Sequence, residues 1–421
     1  MRLDQSPTAV EEHPATTTCD PARADDLIIK EARRRHRRRL FGVSIVIAVV
    51  VGLVGFGIAT ILGGSPDRSP SALPSATSRT WSIRSLTFSG PTVPEQVVSV
   101  GGSVWVLGTS GQNTPESCSI EEIDPVTLQQ HIYPISVCAY YMAVGNGLIY
   151  LAGDVSAINN DEFHLEIFNP VTKHATVMSP VMITTQGSGR AHMDMTYGAG
   201  SIWMSYWGSE LVQVSPSTGA VLHTITNAPA SEGGHGTIVA NRAGVWIAEG
   251  ASSSAAIYRL APKSRTLTTI YAGPAHSSVL WLSSIGSTVW ADVANGSGGH
   301  PVLSTRLLAF DLSGKQILEG TNELFGDVPL VSSDDGLWSV GSGALCSSPQ
   351  RLWRVDPATG RSTDITALRT PIEPCLTENP TTSQITVADR SVFVLEATGT
   401  TRPAALLYRV QREMKGGRRS D

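Results

Sequence analysis

Several kinds of chemistry are missing from this chain of 421 residues. It has no Gly-x-Ser-x-Gly elbow for a nucleophilic serine, and no kinase or dinucleotide-binding signature. Gly296-Ser297-Gly298-Gly299 lacks the strand-to-helix setting and the lysine of a phosphate loop. Asp334-Asp335-Gly336 reads as a turn and not as a calcium loop, since the other ligand positions are absent. Cysteine is scarce, at 5 residues, and no short zinc-binding spacing occurs among them. Charge is thin as well, at 16% of residues. The chain has 31 Lys+Arg and 36 Asp+Glu, and residues 1–40 hold 9 and 7 of these, which leaves 22 against 29 beyond. That acidic balance argues against nucleic acid or anionic lipid as the main partner of the larger part. Only one long apolar run exists, and it lies near the start.

What the chain does have is a repeat. A short turn of Gly, Asn, Asp or Ser leads into an apolar pair whose second member is usually Trp. The copies are Gly102-Ser103-Val104-Trp105, Gly147-Leu148-Ile149, Ser201-Ile202-Trp203, Ala243-Gly244-Val245-Trp246, Thr288-Val289-Trp290, Gly336-Leu337-Trp338 and Ser391-Val392-Phe393. The key position advances by 44, 54, 43, 44, 48 and 55 residues. That is the length of four short strands with their turns, one blade of a β-propeller. A second landmark follows in six copies, as in Ile123-Asp124-Pro125, Ile167-Phe168-Asn169-Pro170 and Val355-Asp356-Pro357. Asp or Asn before Pro, continued by Gly, fixes φ at one position and permits positive φ at another, which is hairpin chemistry. The Trp rings are expected to fill the space between blades.

The seventh copy stops one strand short, after Ala405–Val410. An unassigned strand-like stretch, Thr80–Phe88, precedes the first copy. Pairing that stretch with the last blade closes the ring and leaves no bare edge between first and last blades. The expected fold is therefore all-β: a seven-bladed propeller over residues 80–412, its N-terminal strand completing the last blade, and a basic tail at 413–421, with six or eight blades the alternatives that the long second and sixth repeats leave open.

Leu40–Leu62 is an uncharged run of 23 residues, roughly 30–35 Å long as a helix, enough to cross a bilayer. Arg33-Arg34-Arg35-His36-Arg37-Arg38-Arg39 precedes it, and no such cluster follows. The positive-inside rule puts residues 1–39 in the cytoplasm and the propeller outside, joined through a Ser/Pro/Ala-rich linker at 63–79. A cleaved signal peptide fits less well, since its apolar core is about 7–15 residues. The chain is thus expected to be a single-pass protein of the cell membrane, with no nucleic-acid partner. Cys19 stands alone, and the other four cysteines fall as Cys118 with Cys138 and Cys346 with Cys375. Each pair starts after a Trp strand and ends near the entry to the next blade, which suggests two disulfides in an oxidising compartment.

The block from His235 to Gly250, with Trp246 and Glu249, resembles repeats of bacterial seven-bladed propellers of the streptogramin-lyase (virginiamycin B lyase) type. Similar turn and Asp-Pro-x-Thr-Gly landmarks occur in the related NHL, YVTN and quinoprotein-like propellers. The resemblance extends over residues 80–412 at the level of repeat grammar, and fold analogy alone assigns no activity. It implies histidines on adjacent blades, glutamates and Mg²⁺ opening a lactone by elimination. His192 and His235, each eleven residues before a Trp, match the histidine positions, and Glu249 matches the catalytic and metal-binding glutamate. The departure is Gly233, where the lyase pattern places a glutamate; Glu232 is one position away. Arg190, Asp194 and His276 are ligand-binding candidates near the same mouth. The first expectation is a binding module for a ligand, cell-envelope component or protein partner, without a cofactor. The alternative is a Mg²⁺-assisted lyase acting on a lactone.

Overall fold

A computed structural model describes residues 81–88, 92–110, 118–154, 162–178, 181–182, 193–206, 210–226, 228, 238–249, 254–295, 304–322, 330–333, 336–342, 350–368, 383–398 and 404–412. The apolar run Leu40–Leu62, the linker 63–79 and the tail 413–421 lie outside these. Among the described residues no helix is long and apolar enough to cross a membrane.

Seven antiparallel sheets account for the described chain. Strand β1 (Trp81–Thr87) comes first in sequence but belongs to the last sheet. Blade 1 holds β2 (Thr92–Val100), β3 (Ser103–Ser110), β4 (Ser119–Ile123) and β5 (Gln130–Pro134). Blade 2 holds β6 (Cys138–Gly145), β7 (Leu148–Asp154) and β8 (Glu162–Asn169), and its outer position is shared by β9 (His174–Val177) and β10 (Val181–Met182). Blade 3 is β11 (Met193–Gly198), β12 (Ser201–Tyr206), β13 (Glu210–Val214) and β14 (Val221–Thr226). Blade 4 is β15 (Ile238–Asn241), β16 (Gly244–Glu249), β17 (Ser254–Leu260) and β18 (Leu267–Ala275). Blade 5 is β19 (Ser277–Ile285), β20 (Thr288–Asn295), β21 (Ser304–Asp311) and β22 (Gln316–Asn322). Blade 6 is β23 (Val331–Ser333), β24 (Gly336–Ser342), β25 (Gln350–Val355) and β26 (Ser362–Ala367). Blade 7 is β27 (Ser383–Ala388), β28 (Ser391–Thr398) and β29 (Ala404–Arg412), completed by β1. Trp81 pairs with Arg412 and Thr87 with Leu406, so the expected closure is present.

The second strand of each blade explains the Trp signal. Its residues alternate between the two neighbouring interfaces, which is why it reads as a continuous apolar run. Val104 and Val106 pack against blade 7, while Trp105 and Leu107 pack against blade 2. The same division gives Trp203, Trp246, Trp290, Trp338 and Phe393 to the clusters shared with the following blade. In blade 2 that role falls to Tyr150, not to Ile149 as the repeat pattern suggests. Ile149 packs back against blade 1, and Tyr150 faces blade 3, stacked on Tyr197 with centroids 5.4 Å apart. Several of the indoles also close the first hairpin. Trp105 Nε1 donates to Val100 O at 3.3 Å, Trp203 Nε1 to Gly198 O at 3.2 Å, and Trp338 Nε1 to Ser333 Oγ at 2.8 Å.

Turn chemistry follows the sequence landmarks. Asn146-Gly147 and Ala199-Gly200 have positive φ at both residues, the two-residue turn that matches strand twist. Asp124 Oδ1 accepts from Val126 N–H at 2.8 Å and Thr127 N–H at 2.7 Å, and Asn169 and Asp356 act alike in their own turns. At Gly198 a Cβ would lie 2.4 Å from the backbone of Ala240, so only glycine lets these inner strands approach so closely.

Candidate functional site

Strand direction sorts the connections onto two faces. First-to-second and third-to-fourth connections lie on one face, called here the turn face, and none of them exceeds six residues. Second-to-third connections and the blade-to-blade links lie on the other. There the lengths vary from the single residue His276 to the segments 183–192, 227–237 and 368–382. His192, His235, His276 and His300 all fall in this second set, and no histidine falls in the turns.

The sequence candidates divide accordingly. Arg190, His192, Glu232, His235, Cys346 and Cys375 lie outside the described residues. Glu249, Asp194 and His276 are described. Glu249 ends β16 on the long-connection face, half-buried, and its Oε2 accepts a hydrogen bond from Tyr258 Oη at 2.7 Å. That bond, together with burial, pushes the Tyr258 phenol up to about 12. Tyr258 was not foreseen; its position two residues along β17 from the cross-strand partner of Glu249 is the signal that could have found it. His276 is exposed and forms the whole link between β18 and β19, with φ 61°. Magnesium takes oxygen ligands from several groups at once. Glu249 supplies one carboxylate, and among the described residues no three of His, Cys, Asp and Glu come together as metal ligands. The described residues do not assemble a Mg²⁺ site.

Asp194 has a structural task. Its Oδ2 accepts from Ile238 N–H of blade 4 at 3.1 Å, and its Oδ1 accepts from Met195 N–H at 2.9 Å. Gln384, two residues before Thr386 of the inner strand of blade 7, does the same, since its Oε1 accepts from Val97 N–H of blade 1 at 3.0 Å. Asp194 pairs with Ser205, two residues past Trp203, and Gln384 pairs with Leu395, two past Phe393. The two side chains therefore occupy one register position and bridge successive inner strands.

Two features hold the long-connection face at blades 1 and 2. Cys118 and Cys138 form a disulfide with Cα atoms 5.1 Å apart, tying the start of β4 to the start of β6. The buried Glu166 carboxylate accepts from Ser136 N–H and Val137 N–H at 3.0 Å each, fixing the link between the two blades. Burial pushes the Glu166 carboxyl above its ordinary value against the opposing pull of those hydrogen bonds.

No family model matches the chain. No curated protein matches it either. Solved structures do. The WD40 repeats of RRP9 match at 10% identity and a TM-score of 0.49, covering 78% of this chain and 97% of that one. BamB from Moraxella catarrhalis matches at 11% identity and 0.43, covering 79% and 99%. The β-propeller domain of the Trilobed protease from Pyrococcus furiosus matches at 10% and 0.48, covering 76% and 93%. The fold assignment stands on the seven sheets and their closure.

The turn face carries its own polar architecture. In three blades the third-strand residue opposite the aromatic reaches the next blade's turn. Glu122, opposite Trp105, pairs with Lys173 of blade 2 at 2.7 Å. Arg409, opposite Phe393, donates to Val126 O of blade 1 at 2.9 Å. Arg259, opposite Trp246, donates to Ser313 O of blade 5 at 3.4 Å. Lys173 Nζ also stands 4.5 Å from the Trp105 ring centroid. Burial raises the Glu122 carboxyl, yet hydrogen bonds from Lys173, Ser103 and Tyr133 outweigh it and hold the group below its ordinary value.

Proposed function

We propose that the chain is a single-pass, membrane-anchored propeller displayed outside the cytoplasm, which binds a ligand, cell-envelope component or protein partner through its long-connection face. The observation that carries this reading is the division of connection lengths between the faces. One face is made of near-repeating turns, whereas the other gathers segments of unrelated length and composition, and binding chemistry resides in such loops on a rigid scaffold. The uncharged run Leu40–Leu62 behind its arginine cluster supports the anchor. The Cys118–Cys138 disulfide supports an oxidising compartment.

Hydrogen exchange on the full chain in nanodiscs, with and without solubilised cell-envelope material, tests the binding face. The expected result is protection confined to peptides covering 183–192, 227–237 and 368–382. Protection confined to the turns around 124–129 and 261–266 would sink the assignment. Alkaline extraction of membranes tests the anchor separately, since an anchored chain stays in the pellet.

Glu249 favours a second reading, because it ends on the same face as the histidine-bearing links. In that reading His192, His235 and Glu249 belong to a Mg²⁺-assisted lyase that opens a lactone. Magnesium titration of the full chain discriminates the two. A lyase binds the ion and loses lactone opening in His235→Ala, and a chain that does neither is a binding module.

A further inference from the structure

We infer that the turn face rests on anionic phospholipid headgroups through a basic patch on blades 4 and 5. This inference deepens the membrane-anchored reading and rests on it. The patch is Arg242 in the β15–β16 turn, Lys263 and Arg265 in the β17–β18 turn, and Lys315 in the β21–β22 turn, all four exposed. One guanidinium gathers these turns. Arg259 Nη2 donates to Ala243 O at 3.0 Å, beside Arg242, and its Nη1 donates to Ser313 O, two residues before Lys315. Arg259 itself lies four residues before Lys263.

None of the four cations is ion-paired with a described residue. The one carboxylate in these turns is Asp311, whose Oδ1 accepts from Ser313 N–H at 2.8 Å and Lys315 N–H at 3.0 Å. Elsewhere on this face Lys173 pairs with Glu122, Asp124 and Asp356 bind their own turns, and Arg361 and Arg390 stand one to a turn in blades 6 and 7, Arg390 beside Asp389. Asp334-Asp335, in the first turn of blade 6, lie outside the described residues. The propeller region is acidic in sum, but at physiological salt a charge is felt over about 8 Å, so the local excess governs a surface in contact.

Topology places the start of β1 on the same face. Third strands run from the long-connection face to the turn face, so β29 arrives there at Arg412. Trp81, paired with Arg412, starts β1 at that end. Both Trp81 and Arg412 therefore lie at the turn face. In the seven-membered ring blade 4 is three places from blade 7 and blade 5 two, so the patch lies across the ring from the start of β1. Extended, the 63–79 linker reaches roughly 55–60 Å and so cannot by itself orient the ring. A second attachment across the ring can, and tethering lets weak headgroup contacts suffice. The long connections then point away from the bilayer.

The test uses the full chain in nanodiscs of phosphatidylcholine alone or with about 30% phosphatidylglycerol, with amine acetylation of Lys263 and Lys315 read by mass spectrometry. Labelling is expected to slow ~threefold or more in the anionic discs, and the difference to vanish in about 0.5 M salt. The Arg242→Glu/Arg265→Glu variant keeps both reporter lysines and should lose the protection. Equal labelling in both discs, with the chain retained on them, overturns the contact while leaving the anchor standing. Protection by soluble polyglutamate in neutral discs, without any effect of lipid charge, overturns it in favour of an acidic polymer. A chain that fails to stay with the discs removes the anchoring reading and this contact together.

Discussion

Asp194 shows how one carboxylate can invite a ligand role and yet serve the ring. Its acceptor oxygen meets an inner-strand N–H 44 residues away, and no local pattern announces that partner. Losing the acceptor strands a half-buried donor, so Asp194→Ala should cost about 1–2 kcal/mol, while Asp194→Asn retains an acceptor and recovers most of it. Chemical denaturation of the full chain reads both, and an unchanged midpoint in Asp194→Ala would remove the bridging role. Glu122 gives a pH signature. Its carboxyl is held below the ordinary value in the folded chain, so its contribution is complete above the unfolded value of 4.5 and is lost as pH falls through the folded one. Glu122→Gln should therefore flatten stability against pH below about 4.5, leaving the slope at higher pH unchanged. An unaltered acid limb would refute the pairing with Lys173.

At the level of elements, the spacing of the Trp copies and the closing strand were legible because both follow from period and polarity. The register of blade 2 was not. Gly147-Leu148-Ile149 offers an apolar pair, but β7 begins at Leu148, so the residue aligned with each Trp is Tyr150. The split outer strand of blade 2 was equally hidden, since His174–Val177 and Val181–Met182 are too short to show alternation. The Cys118–Cys138 pairing was readable because it joins two blade entries. The matching pair Cys346 with Cys375 lies outside the described residues. A bridge between residues separated by 20 positions removes loop entropy worth about 3 kcal/mol from the unfolded chain. The Cys118→Ser/Cys138→Ser variant should lose roughly that amount in denaturant unfolding, with the blade cores otherwise intact. A loss near zero would mean that the link through Ile135–Val137 is held without the bridge, by Glu166 and by the hydrogen bond from Ile135 N–H to Cys118 O.

For the whole molecule the decisive property is equivalence. Each of the seven apolar clusters is shared by two successive blades, including the one between blades 7 and 1. Stability in such an array is a sum of blade and nearest-neighbour terms, so the point at which the chain opens should matter little. Trp81 and Arg412 are paired neighbours, close enough to be joined by a turn. Copying Asp356–Arg361 between them, and opening the chain within 369–382, gives a permuted propeller whose every blade is one continuous hairpin series. It should fold, with native near-ultraviolet circular dichroism and a melting temperature within about 10 °C of the parent, a shift of a few kcal/mol at this size. The permutation turns the β1–β29 clasp between the two ends of the propeller into an ordinary hairpin and leaves all seven clusters unchanged. A permuted chain that aggregates or melts far lower would show that the clasp, and not the aromatic packing between blades, holds the ring together.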